Sequence, residues 1–231
     1  MAESPVGALQ VGRRATVVCA ALIVRADSPI YAPQELAHRT VAIDYGNGTA
    51  YAALQMLEGA MPRDAITTCA ATLDPAERYT RLMRGEFDAT VVQEPWITAA
   101  ERAGCRLIST TFFHGTWVAT SDLDPEAYAA FLRGIKRAVR RINADKRRYV
   151  SYFFREFPDA PEIRALTPEH MNLDRIRLKD PEPIPEHEAR WVWDWMAGWG
   201  VLEGGFDVAT QINRKLEGDA HARAALQETA R

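Results

Sequence analysis

Between residues 39 and 110 the apolar positions switch repeatedly between short runs of strand length and stripes of helical period. Residues 40–45 read as a strand, Gly46, Asn47 and Gly48 as a turn, and residues 49–59 as a helix with Ala50, Ala53, Leu54 and Leu57 on one stripe. Residues 65–70 form the next strand. Asp74 then opens a helix that ends at Gly85, with Pro75 at its first position and Glu77 at its third, the order of a capping box. Residues 88–93, 96–103 and 105–110 continue the series as strand, helix and strand. Such alternation marks βα units on a largely parallel sheet.

Residues 17–25 and 112–120 read as strands on either side of this block and suggest two crossings into a second lobe. After Asp124 and Pro125 the pattern is almost wholly helical, with Tyr128, Phe131, Leu132, Ile135, Val139 and Ile142 on one face. Further helices are expected near Thr167-Pro168 and Pro185-Glu186. The tail over residues 218–231 is polar and alanine-rich and is expected to fray.

The chain has 231 residues, enough for one large domain or two small lobes with separate cores. Its 28 basic and 31 acidic side chains give a net charge of -3, so no global field selects nucleic acid or an acidic membrane as partner. Arg133, Lys136, Arg137, Arg140, Arg141, Lys146, Arg147 and Arg148 concentrate positive charge, but no aromatic residues interleave the helix turns as a base-stacking surface needs. They read as a solvated outer face. Trp191, Trp193, Trp195 and Trp199 cannot share one helical face, so at least one is expected at an edge or interface.

Cys19, Cys69 and Cys105 are odd in number and far apart, and each lies beside strand-like residues, which suits buried unreactive thiols. The five histidines (His38, His114, His170, His187, His221) show no metal-ligand spacing, and no cofactor motif is present. Neither a metal nor a cofactor is expected. Arg13 and Arg14 followed by ten apolar-rich residues resemble the start of a targeting segment, but a buried strand explains the same run. No stretch of 18 apolar residues spans a membrane.

Three segments, residues 21–30, 35–49 and 84–96, occur in an order and spacing that resemble the type II periplasmic binding proteins for aliphatic sulfonates, taurine, nitrate and thiamine-pyrimidine precursors. Residues 142–145 and 193–200 also fit that family's late helices. The resemblance implies an α/β fold of two lobes, with residues 1–39 the first part of lobe one, 40–110 lobe two, and 111–231 the rest of lobe one. It implies the substrate-binding component of an ABC importer, closing on a small organic anion or zwitterion and meeting a membrane only through its permease. Family members carry a secretion signal and further residues ahead of the strand at Val17, so lobe one is expected to lack its first strands here. An extracytoplasmic location follows from the family, and a cytoplasmic one if Met1 is the true start. The same scaffold also carries enzymes resembling pyrimidine synthases and desulfinases, and an enzyme or cytosolic ligand sensor is the alternative.

The turn at Tyr45, Gly46, Asn47, Gly48 and Thr49 stands between a strand end and a helix start, where free N–H groups and the helix dipole favour an anion. Tyr51 is placed to reach the same ligand. A tight turn with no ligand fits these residues as well. Glu94 and Trp96, at the end of the strand over residues 88–93, can accept from an amine and stack on a flat group; equally, Glu94 stabilises a helix start and Trp96 packs in the core. His114 and Thr116, at the second crossing, complete the candidate ligand-binding set. No nucleophile, base and orienter stand at motif spacing, so no catalytic residue is assigned.

Overall fold

The computed structural model describes residues 7–45, 47–71 and 74–229. In chain order the elements are β1 (Ala8–Val24), β2 (Thr40–Ile43), α1 (Gly48–Glu58), β3 (Thr67–Ala70), α2 (Pro75–Met83), β4 (Ala89–Gln93), α3 (Trp96–Arg102) and β5 (Arg106–Thr120). Next come the helices α4 (Pro125–Ala144), α5 (Lys146–Tyr149), α6 (Ser151–Arg155) and α7 (Pro161–Arg164), then the two-residue strand β6 (Arg177–Leu178), α8 (Glu186–Gly198), α9 (Val208–Gln211) and α10 (Arg214–Thr229). The sheet orders its strands β3-β2-β4-β1-β5, with β2 parallel to both β3 and β4 and β1 antiparallel to β4.

Two compact units divide the chain. Unit 2 holds Val18–Phe113 and Asp145–Arg177; unit 1 holds the described residues through Val17, with His114–Ala144 and Leu178–Arg231. The sequence reading draws the boundaries elsewhere, giving residues 1–39 and 111–231 to one lobe. The difference has a packing cause. Ala20–Val24 of β1 pair residue by residue with Ala89–Gln93 of β4, and Ile163, Leu166, Phe154 and Phe157 join the core around Trp96. Residues that look like lobe-one material by sequence order therefore belong to the sheet and core of unit 2.

In unit 2, residues Ala20 to Val24 are fully buried. An unbroken apolar run is what a strand covered on both faces requires. α1 buries the predicted stripe, Ala50, Ala53, Leu54 and Leu57, and adds Ala52 and Met56. α2 opens at the predicted residues, with Pro75 at the first position and Asp74 as the cap, accepting at 2.9 Å from the Ala76 N–H at the second position, where a capping box uses the third. β5 is one continuous strand where the sequence suggests two, and the helix expected near Thr167-Pro168 is a single tight turn, Pro168–His170.

Unit 1 centres on α4 and α10. Tyr128, Ala129 and Leu132 pack with Leu216, Ala220 and Ala224. Over residues 218–224 this differs from the expectation of a frayed tail, since Ala220 and Ala224, four apart, let α10 pack on its neighbour; residues 230 and 231 lie outside the described residues. Lys146, read as solvated, is half-buried and donates to the Leu173 carbonyl, while Arg147 stays exposed as expected and donates to the carbonyls of Pro168 and Met171. α8 buries none of its residues, and Trp191 is 56% exposed, in line with the expected edge tryptophan. Among the described residues no helix is long and apolar enough to cross a membrane.

Candidate functional site

β2 and β4 are parallel neighbours, so their carboxyl ends lie on one edge of the unit 2 sheet. Each end turns into a helix, and the two turns carry most of the residues singled out by sequence.

At the end of β2, Asn47 is the N-cap of α1. Its Oδ1 accepts from the Thr49 N–H at 2.6 Å and from the Thr49 hydroxyl, while its Nδ2 donates to Asp44. Asp44 is 2% exposed, and Arg78 of α2, 3% exposed, donates to its Oδ2 at 3.1 Å. Burial pushes the Arg78 guanidinium down from its ordinary value, with Asp44 pulling it back up. Arg78, Asp44, Asn47 and Thr49 thus form one hydrogen-bonded line from the flank of α2 to the first turn of α1.

Around this line Tyr45 is 50% exposed and bonds through its hydroxyl to Thr68. Tyr51 accepts from Gln55 Nε2 at 2.7 Å, and burial raises its phenol. Asn47 and Gly48 are exposed and Thr49 is buried. Gly46 lies outside the described residues. Gly48 is needed for close approach: a Cβ there would stand 2.6 Å from Cε2 of Phe113, so the Phe113 ring lies against the turn. Sequence reasoning missed both Phe113 and Arg78. An arginine in a short helix reads as solvent-facing, and a strand phenylalanine gives no hint of a partner 65 residues earlier.

At the end of β4 the residues are engaged by the protein itself. Glu94, its side chain 5% exposed, accepts from the Thr98 N–H at 3.1 Å and the Thr98 hydroxyl at 2.8 Å, and pairs with Arg175 at 3.3 Å. Burial raises the Glu94 carboxyl above its usual range; the Thr98 bonds and Arg175 oppose this. Arg175 also forks onto Glu101 at 2.8 and 2.6 Å. Trp96 is 1% exposed and packs against Tyr79 and Phe157, with ring centroids at 5.3 and 5.6 Å. These two residues take the structural side of the readings open to them in the sequence, helix start and core.

His114 and Thr116 are half-buried residues of unit 1, in a different compact unit from the two turns. His114 Nδ1 is buried without a hydrogen-bond partner, and burial, Arg13 and Lys179 lower its imidazole. All three cysteines are free, and burial raises each thiol. Among the described residues no group of three or more histidine, cysteine or carboxylate side chains is placed to hold a metal.

No family model matches the chain, and no curated protein does. Solved structures do. The periplasmic aliphatic sulphonate-binding protein SsuA from Escherichia coli matches with a TM-score of 0.65 at 18% identity, over 93% of this chain and 76% of that one. The alkanesulfonate-binding protein SsuA from Xanthomonas axonopodis pv. citri, bound to MOPS, matches with a TM-score of 0.61 at 16% identity, over 86% and 71%. A mutant of DszB in complex with biphenyl-2-sulfinic acid matches with a TM-score of 0.58 at 16% identity, over 95% and 80%. The chain has the type II periplasmic-binding-protein fold, shared here by binding proteins and by the desulfurization enzyme DszB.

Proposed function

We propose that this chain is the substrate-binding component of an ABC importer, taking a small organic anion or zwitterion of the sulfonate kind. The observation that carries the reading is the fold likeness to sulfonate-binding proteins over 86–93% of the chain. The β2–α1 turn supplies fitting chemistry. A ligand oxygen approaching the start of α1 would take the Thr49 N–H and hydroxyl from Asn47 Oδ1, exchanging a neutral acceptor for a charged one. The Phe113 ring beside Gly48 offers an apolar surface for an alkyl or aryl part. By the same reading the partner is an ABC permease and the location extracytoplasmic.

An enzyme on this fold is the second reading, favoured by the likeness to DszB. Burial raises each of the three thiols, which disfavours the thiolate that a cysteine nucleophile would need. The test is thermal unfolding with alkanesulfonates, carboxylates and zwitterions, alongside mass spectrometry of ligand incubated with stoichiometric protein. We expect the Tm to rise with the logarithm of ligand concentration, the Thr49→Val variant to lose most of that rise, and the ligand to be recovered unchanged. No Tm shift with any of the three classes would overturn the reading, and conversion of a sulfinate or sulfonate would replace it with the enzyme.

A further inference from the structure

We infer that the buried Arg78–Asp44 pair sets the charge of the ligand that the β2–α1 turn accepts, with Arg78 acting as a positioning residue through Asp44. This rests on the reading of that turn as the ligand site. The side chains of Arg78 and Asp44 are 4% and 1% exposed and 3.1 Å apart, so neither charge is screened by solvent as a surface ion would be. Asp44 is one amide group away from the start of α1, because the Asn47 side chain bonds to Asp44 at one end and to Thr49 at the other. An uncompensated carboxylate at that distance would repel an anion at the helix start. Paired with Arg78 it does not, and the N–H groups and helix dipole are left to attract the ligand. Arg78 also feels Asp74, the cap of its own helix, but Asp74 is exposed. The pair has a second effect. By accepting from Asn47 Nδ2, Asp44 fixes which end of that amide faces Thr49, so the cap is preset as an acceptor that an anionic oxygen can replace.

A merely structural pair and a charge-setting pair differ in sign. The experiment measures the affinity of the whole chain for ethanesulfonate and for uncharged ethanesulfonamide, by calorimetry and Tm shift, in the unaltered protein and in Asp44→Asn, Arg78→Met and the double variant. If the pair sets charge, Arg78→Met lowers the sulfonate-to-sulfonamide preference on the order of tenfold and Asp44→Asn raises it by a similar factor. The double variant returns to near the starting value. Arg78→Lys and Asp44→Asn/Arg78→Gln keep the net charge of the pair at zero; both should preserve the preference, and they stand in if a single variant does not fold. Both single variants moving the preference in one direction, or a charge-neutral variant losing it, would overturn the inference while leaving the site in place. Binding of neither probe by the unaltered chain would overturn the inference together with the reading beneath it.

Discussion

Two turns leave the same edge of the unit 2 sheet, and both begin with a buried acid that meets an arginine from later in the chain. Asp44 meets Arg78, 34 residues on; Glu94 meets Arg175, 81 residues on. The next residues along the chain differ in exposure. Asp44 is succeeded by Tyr45, Asn47 and Gly48, all exposed, whereas Glu94 is succeeded by Pro95 and Trp96, both buried. A strand-end acid before a helix is therefore no mark of a ligand site by itself. The exposure of its successors separates a turn that can face a ligand from one that closes a core.

The largest expected effect tests the buried side of this contrast. Trp96→Ala removes the ring that Tyr79 and Phe157 pack against and should cost about 3–5 kcal/mol, read from urea unfolding. Tyr45→Phe, at the other turn, should stay within about 0.5 kcal/mol. Similar costs at the two positions would erase the distinction between a core turn and an open one.

Much of unit 2 is legible in the sequence because its signals are local. Strand-length apolar runs, the Asp74-Pro75 helix start and the stripe of α1 each depend on residues a few positions apart. Unit 1 is less so. Ala8–Val17 contains Gly12, Arg13 and Arg14, which look unlike strand, yet Arg13 pairs with Glu182 and Glu188 and Arg14 lies over the Trp117 ring. Those partners are over a hundred residues away, and nothing local announces them. The candidate site splits along the same line. The turn ahead of α1 is readable from its own residues, but Asn47 as its cap is not, and the Arg78–Asp44 pair exists only once α2 is laid beside the end of β2.

A middle-sized effect concerns how each acid is kept. Burial raises the Glu94 carboxyl, and a group whose folded value lies above its unfolded one contributes most at pH below the ordinary carboxylate range, then loses that contribution as pH rises through the raised value. Arg175→Met removes one of the influences that hold this rise in check. Its cost near neutral pH should be about 2 kcal/mol, below the roughly 3–5 kcal/mol for breaking a fully buried pair, because Glu94 can take a proton instead. The cost should shrink as pH falls through the carboxylate range. A cost independent of pH, measured by urea midpoints across that range, would show that Arg175 acts through Glu101 and packing rather than through the charge of Glu94.

The smallest effect bears on Asn47, which belongs to the cap and to the ion pair at once. Losing a helix cap alone costs about 1 kcal/mol, the expectation for Asn47→Ala. At an ordinary cap, aspartate serves nearly as well as asparagine, since only the acceptor oxygen matters there. Here the other end of the side chain donates to Asp44, so Asn47→Asp would keep the acceptor for Thr49 while setting a second carboxylate against the first. The favourable term with the helix dipole is about 0.3–1 kcal/mol, and the lost hydrogen bond and like-charge contact beside a buried acid outweigh it. Asn47→Asp should therefore destabilise at least as much as Asn47→Ala, an inversion of the usual order that urea unfolding of the two variants would reveal. If Asn47→Asp is instead as stable as the unaltered chain, Asp44 does not hold the Asn47 amide in solution, and the line from Arg78 to Thr49 is broken at its middle link.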